Sequence, residues 1–543
     1  MMRVAAPALL GAGIALAAAA ARSGDAPPLS TPIIVDAAAD VHPISPLIYG
    51  ISFASPAVQR DLRLALVRSG GNSASLYDWR DEARGAGRDW FFESLPIAAD
   101  DPAQYGARFV AQARAGGAAP MLTVPMTGWA ASLGPGGGKR AAFAIDRYGE
   151  QAASDRDGFA NAGNGIRPDG TPITGNDPHD AAHRVSPEQT RAWLASIVAR
   201  FGPAARGGVR FYAMDNEPAR WHDIHRDVFP IGLHAQEQAD RTIAYARLVK
   251  DVDPQAMVVA PEAEGWTGYQ YSGFDQQIGE ARGWHDLPDH ARQTHGMALI
   301  PWLLDRWRAA GHPVDVVSVH FYPQGGEFSD DVSPAMQRRR NRSTRALWDP
   351  AYRDESWIAA PVALIPRLRG WVREHYVPGT PVAITEYDWG AARHMNGATA
   401  QADVLGIFAR EGLDMAARWL PPAPGTPAYL AMKLFRNPRG QGGGFGEVSV
   451  AARAPAPDDV ATFAALRRAD GALTIVAINK QIETPAPLSI ALMHFSAAGR
   501  VIVTQLSDGR LSPLSPRRFT GGRLTTTLPA QSVTLFELLP DVS

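Results

Sequence analysis

The stretch RFYAMDNEP, residues 210–218, begins as an apolar, β-prone run and ends on an acidic residue held between an amide and a proline. It reads as a strand that delivers Glu217 at its C-terminal end. Seven other runs share this build: IYGISF from Ile48, ALVRSGG from Ala65, MLTVPMT from Met121, MVVAPEA from Met257, DVVSVHFYP from Asp315, VAITEYDWG from Val382 and AYLAMKLF from Ala428. Near-continuous apolar strands separated by helical stretches imply a parallel sheet covered on both faces. Eight of them predict an α/β fold, a TIM-like (β/α)8 barrel spanning 46–440. The Gly-, Asp- and Asn-rich segment between the third and fourth runs predicts a structured insertion on the loop face.

Outside the barrel the rhythm changes. From about Glu447 short alternating strands are separated by tight-turn pairs, Asp470-Gly471 and Asp508-Gly509, which predicts a smaller antiparallel β-sandwich over 441–543. The strand TPIIVD, within 27–45, is expected to pair into it. Residues 1–26 carry an early arginine, an Ala-rich apolar run and a polar, Pro-rich exit, the pattern of a signal peptide. Export, to the periplasm or the medium, is the expectation, without a membrane anchor. The 543 residues contain no cysteine, so disulfides, thiolate metal sites and cysteine nucleophiles are excluded. Lys+Arg 53 against Asp+Glu 55 leaves a formal net charge of −2, which points away from nucleic acid and towards a neutral substrate. The basic run Arg338, Arg339, Arg340, Asn341, Arg342 reads as a solvated loop.

In such a barrel reactive side chains sit at the C-terminal ends of strands, where the loops form a bowl. Two glutamates meet that condition: Glu217 after the fourth strand and Glu386 after the seventh, across the mouth from each other. One carboxylic acid can protonate a leaving oxygen while the other attacks an anomeric carbon. Glu217 is therefore the candidate acid/base and Glu386 the candidate nucleophile. Asn216, beside the acid, can bond a sugar 2-hydroxyl.

These motifs bear a resemblance to a known family. YAMDNEPARWHDIHRDVFP is similar to the acid/base signature of glycoside hydrolase family 44 and AITEYDWG to its nucleophile signature. HPISPLIYGISF, RSGGNSASLYDW, NAGNGIRPDG, DVVSVHFYPQ, STRALWDPAYRDESWI and FGEVSVAARAPAPDDVATFAALR extend the likeness. It implies a retaining endo-acting hydrolase of β-1,4-glucans, including cellulose derivatives, xyloglucan and mixed-linkage glucan, with no catalytic cofactor; a monomer is the expectation. It also implies a calcium-binding region holding Glu93, Asp177 and Asp180, with salt-bridged or solvated carboxylates as the alternative. Arg68 and Asn72 match the second-strand motif, but Ser69 stands where the family usually has an aromatic.

His320 and Tyr322, after the sixth strand, are candidates for contacting sugar hydroxyls or positioning a carboxylate. Tyr387 is weighed between rim packing and the site. Of the 14 Trp, Trp129, Trp266, Trp348, Trp357 and Trp389 fall where a sugar-stacking cleft could run, each as easily core as subsite. His222, His225 and His234 are expected to pack in loops rather than hold zinc, and GPGGGKR lacks phosphate-loop spacing. Two competing readings remain: the same machinery acting on mannan or xylan, and an exported carbohydrate-binding protein without turnover.

Overall fold

The computed structural model describes residues 32–519 and 522–541, so the signal-peptide segment 1–26 lies outside the described residues. Eight parallel strands close into a barrel: β1 (Gly50–Ser52), β2 (Leu66–Ser69), β3 (Ala119–Val124), β4 (Phe211–Met214), β5 (Met257–Ala263), β6 (Val316–Phe321), β7 (Val382–Tyr387) and β8 (Met415–Arg418). Seven lie where the sequence predicts them. The eighth does not, because AYLAMKLF forms the helix Pro427–Arg436. Its buried residues, Ala428, Tyr429, Ala431, Met432, Leu434 and Phe435, recur at three- and four-residue spacing, and a short apolar run cannot by itself separate buried helix from buried strand. The barrel is closed instead by MAAR, whose Ala417 and Arg418 pair with Gly50 and Ile51.

Alternation along these strands sorts two cores. Leu66, Met121, Phe211, Val259, Val316, Ala383 and Met415 pack together inside the barrel. Val67, Leu122, Tyr212, Val258, Val317 and Ile384, on the alternate face, join the larger core beneath the surrounding helices. Between β3 and β4 the insertion is structured, as expected. Trp129–Ala131 pairs with Ala182–Arg184, and Ser154–Asp155 with Phe159–Gly163.

The second body is a ten-stranded, mostly antiparallel sheet. Ile33–Asp36 is inserted in it, antiparallel to Val448–Arg453 and parallel to Ala486–Met493, so the N-terminal strand pairs as expected. Ile33, Ile490 and Leu524 from one arm share a core with Leu473, Val501 and Phe536 from the other, which folds the sheet into a sandwich. The helix Met395–Arg410, buried along nearly its whole length, joins the two bodies. Its Gly406 lies against the Phe463 ring, 2.1 Å from where a Cβ would sit, and its Asp403 makes a buried ion pair with Lys480 at 2.9 Å.

The basic run is not a solvated loop but part of the helix Pro334–Ser343. Arg340 is fully buried and donates to the carbonyls of Glu327, Ser329, Asp331 and Trp389 and to Asn396 Oδ1. It ties down the loop that comes after β6. Among the described residues no helix is long and apolar enough to cross a membrane.

Candidate active site

The fourth strand ends at Met214, and the chain then turns through Asp215 and Glu217 with φ of 63° and 44°. Left-handed backbone is unusual for a residue other than glycine, and here Asp215 anchors it. Its fully buried carboxylate accepts from Ser75 Oγ, Met126 N–H and Asn216 N–H. Burial nevertheless pushes Asp215 up to about 6. The turn sets Glu217 at the edge of the bowl, its side chain 18% exposed.

Glu386 arrives differently. Ile384 pairs with Val319 and Glu386 with His320, so Thr385 is an extra residue, and such a bulge re-aims the side chains beyond it. Strict alternation would turn Glu386 outward with Ile384; the bulge turns it inward. β5 repeats the device: Pro261 pairs with Ser318 and Ala263 with Val319, leaving Glu262 as the extra residue with φ of 55°.

These side chains meet in one buried network. Arg68 donates to Glu386 Oε1 at 2.6 Å, to Glu262 Oε2 at 2.7 Å and to Asn216 Oδ1 at 2.9 Å. Tyr322 donates its hydroxyl to Glu386 Oε2 at 3.0 Å. His320 reaches Glu217 Oε1 at 2.7 Å through Nδ1 and Glu262 Oε2 at 3.3 Å through Nε2, with Glu386 Oε2 3.6 Å from Nδ1. Tyr269 bonds the His320 carbonyl, and Thr385 Oγ1 donates to Glu262 Oε1 at 2.8 Å.

Burial works against charge throughout, and the neighbours outweigh it. For Glu262 the Arg68 guanidinium, with the bond and charge of His320, overcomes burial and holds the carboxyl at about 2. For His320 the Glu386 charge, with hydrogen bonds to Glu217 and Glu262, overcomes burial and pushes it up to about 10. Burial also opposes the Arg68 charge, but Glu262 and Glu386 raise its pKa above the ordinary arginine value. The floor therefore holds two cations, Arg68 and His320, among the glutamates.

One ligand atom each of Glu217, His320 and Glu386 lies within 4.8 Å of the other two. That spacing could also suit a metal ion, but both ring nitrogens of His320 are already engaged, Nδ1 with Glu217 Oε1 at 2.7 Å and Nε2 with Glu262 Oε2 at 3.3 Å. One oxygen of each carboxyl group lies within 4.8 Å of the other, close enough to flank one glycosidic bond as nucleophile and acid, for which retaining enzymes use about 5 to 5.5 Å.

The remaining candidates divide. Asn216 is held by Gly71 N–H at 3.0 Å and donates Nδ2 to Asn72 Oδ1 at 3.1 Å, so both belong to the wall. Ser69 points away from the bowl, its hydroxyl bonding the Gln104 carbonyl at 3.4 Å. The loss of the family's aromatic there is thus absorbed outside the cleft. Tyr387 is buried and accepts from Gln401 Nε2 at 3.1 Å, which makes it packing. Trp129 is buried beneath the Arg184 guanidinium, 3.9 Å from its ring. Trp389 is buried with its indole N–H on Ser343 Oγ. Trp348 packs under Arg410 and lines a groove between barrel and sandwich. None of these three tryptophans joins the network.

The three histidines of the fourth-strand loop are separate: His222 bonds the Ala219 carbonyl, His225 the Asn72 carbonyl and His234 Asp289. The acidic trio does not converge either. Asp177 and Asp180 both face Arg147, whereas Glu93 lies against Lys139 with Asp155. Each expected calcium ligand already meets a side-chain cation, so the trio does not fit the ion.

Two residues were not anticipated. Glu262 lies inside the run MVVAPEA, where only its charge amid apolar neighbours could have flagged it. Trp419 comes just after β8, and its indole packs on Gly71, where a Cβ would stand 2.4 Å from the ring. Gly71, with φ of 73°, is required for that approach, and its N–H holds Asn216.

The sequence profile of glycoside hydrolase family 44 matches residues 83–325. Among solved structures the chain is similar to CelM2, a bifunctional glucanase-xylanase from a metagenome library, at 47% identity and TM-score 0.91 over 94% of this chain and 99% of that one. It is also similar to a Paenibacillus polymyxa xyloglucanase of family 44, at 26% identity and TM-score 0.76 over 93% and 99%. Endoglucanase A of Paenibacillus lautus is 30% identical over 77% of this chain, and the chain spans 59% of that relative's length. Paired glutamates after β4 and at the end of β7, the network beneath them and these likenesses agree: the chain belongs to glycoside hydrolase family 44.

Proposed function

We propose that the chain is a retaining, endo-acting glycoside hydrolase that cleaves internal β-1,4-glucosidic bonds of plant glucans by double displacement. The observation that carries this reading is the unequal environment of two close carboxylates. Glu386 is bound by Arg68 and Tyr322 on its two oxygens, which holds an ionised nucleophile in place. Glu217 is bound through Oε1 to His320 alone, which leaves Oε2 for the substrate.

In the first step Glu386 attacks the anomeric carbon while Glu217 gives its proton to the departing glycosidic oxygen. A glycosyl ester on Glu386 results. In the second step Glu217 takes a proton from water, whose oxygen displaces Glu386 from the same carbon and restores the original configuration. As the Glu386 charge is consumed, Arg68 remains paired with Glu262, so no buried cation is stranded.

Open aromatics flank the site, as an extended polymer would require. Trp357 is 61% exposed and bonds Gln324, which bonds the Tyr322 carbonyl. Phe328 meets the Tyr322 ring edge-on. On the other side Trp90, also exposed, is next to Asp89, which accepts from Asn72. Xyloglucan, mixed-linkage glucan and cellulose derivatives are the proposed substrates, in keeping with the activities named for the relatives. Xylan is the second reading, favoured by the glucanase-xylanase activity named for the 47%-identical structure. The enzyme is proposed to act as an exported monomer.

Reducing-end release on xyloglucan, barley β-glucan, carboxymethyl cellulose, xylan and mannan, with product sizes, tests this. Early products of mixed length from the glucans are expected. Binding without release on every polymer, or release of monosaccharide alone, would contradict it.

A further inference from the structure

Outside the catalytic network, Glu93 and Asp155 form an enclosed acidic pair. The Glu93 side chain is wholly buried, and both its carboxylate oxygens, with Oδ2 of Asp155, receive no well-directed hydrogen bond from the protein. What faces them is the Lys139 ammonium, 3.1 Å from Glu93 Oε2 and 3.6 Å from Asp155 Oδ2. Three segments meet there. Glu93 opens the strand Glu93–Pro96, Lys139 precedes the strand Arg140–Ala141 paired to it, and Asp155 lies on the insertion's own hairpin.

Buried carboxylates with unused oxygens suit a hard divalent cation, which takes several oxygen ligands at about 2.3 to 2.6 Å. A lysine stem ending between the same oxygens leaves no room for one. We propose that the Lys139 ammonium is the built-in counter-cation of this pair, standing where a divalent ion would otherwise sit, and that removing it converts the pair into a divalent-cation site. The fold is then independent of calcium at this point, and the insertion is fastened to the strand Glu93–Pro96, between β2 and β3, by a side chain instead of an ion. The Lys139 side chain is one-third exposed, so an added ion has a path to the pair once the stem is gone.

The test compares wild type, Lys139→Ala and Lys139→Ala with Glu93→Gln, each stripped with EDTA and then given calcium or terbium. The wild-type unfolding midpoint is expected to be the same in EDTA and in calcium. Lys139→Ala should melt lower in EDTA, regain several degrees in calcium and acquire terbium emission sensitised by Trp90, which lies beside Asp155. The added Glu93→Gln should abolish both responses. A wild-type midpoint that falls on chelation overturns the proposal, as does a Lys139→Ala protein indifferent to both ions. Should Lys139→Ala fail to fold, Lys139→Gln is read in the same way, and the wild-type arm decides independently of either variant.

Discussion

The two ends of the barrel use the same strands for opposite purposes. At the N-terminal end Leu66, Met121, Phe211, Val259, Val316 and Met415 fill the interior with apolar side chains. A few residues further along, the same strands carry Arg68, Glu262, His320 and Glu386, buried and charged. One end gains from excluding water around carbon. The other tolerates exclusion only because each charge is bonded to an opposite one, since breaking a buried pair costs far more than its net contribution. Stability and chemistry are thus separated along the strand axis, and substitutions at the two ends should fail in different ways.

The largest expected effect is at the charged end. Glu386→Gly, assayed at a temperature where the variant stays folded, should lower turnover by about 10⁴-fold or more, and azide should restore turnover as an inverted glycosyl azide. Wild-type-like turnover in that variant would end the comparison.

Glu262→Gln should blur it. The change leaves Arg68 and His320 short of a carboxylate, so both stability and rate should fall, stability by about 3 to 5 kcal/mol. It also moves a pH limit. His320 is raised to about 10 in the fold, so its contribution to stability is full below the unfolded value near 6.5 and is lost as pH rises towards 10. Without Glu262 the His320 pKa in the fold is lower, so that loss should be smaller and complete at lower pH. A denaturation series between pH 7 and 10 reads the shift, and superimposable profiles would contradict the role given to Glu262.

Leu66→Ala sharpens the contrast from the other end. It should cost about 2 to 5 kcal/mol of stability through the cavity it leaves with kcat little changed at a temperature where the variant stays folded. A loss of kcat comparable to that of Glu262→Gln would mean that the two ends are coupled.

The strands themselves decide how much of this was legible in the sequence. Seven of them could be placed because short apolar runs are a local signal, and both catalytic candidates because two of those runs end near a glutamate. The eighth was misplaced because AYLAMKLF is apolar on every side that matters and MAAR is only four residues long. Trp419 was lost with it, since a residue can be assigned to the bowl only when its strand is known. Glu262 was missed for a different reason: its bulge, like the one at Thr385, is a property of two paired strands and leaves no mark in either alone. The tryptophans misled because composition counts rings without saying which are covered, and Trp129 and Trp389 are buried while Trp357 is open.

The division of labour between Glu386 and Glu217 is tested most directly by trapping. A 2-deoxy-2-fluoro cello-oligosaccharide bearing an activated leaving group slows both displacements, and the leaving group makes the first the faster, so the glycosyl-enzyme accumulates; peptide mass spectrometry then locates the sugar. The label is expected on the peptide containing Glu386, with Glu217→Ala still able to form it. A label on Glu217 or Glu262, or an enzyme that turns the reagent over to a product of inverted configuration, would contradict the double displacement and the assignment of Glu386 as its nucleophile.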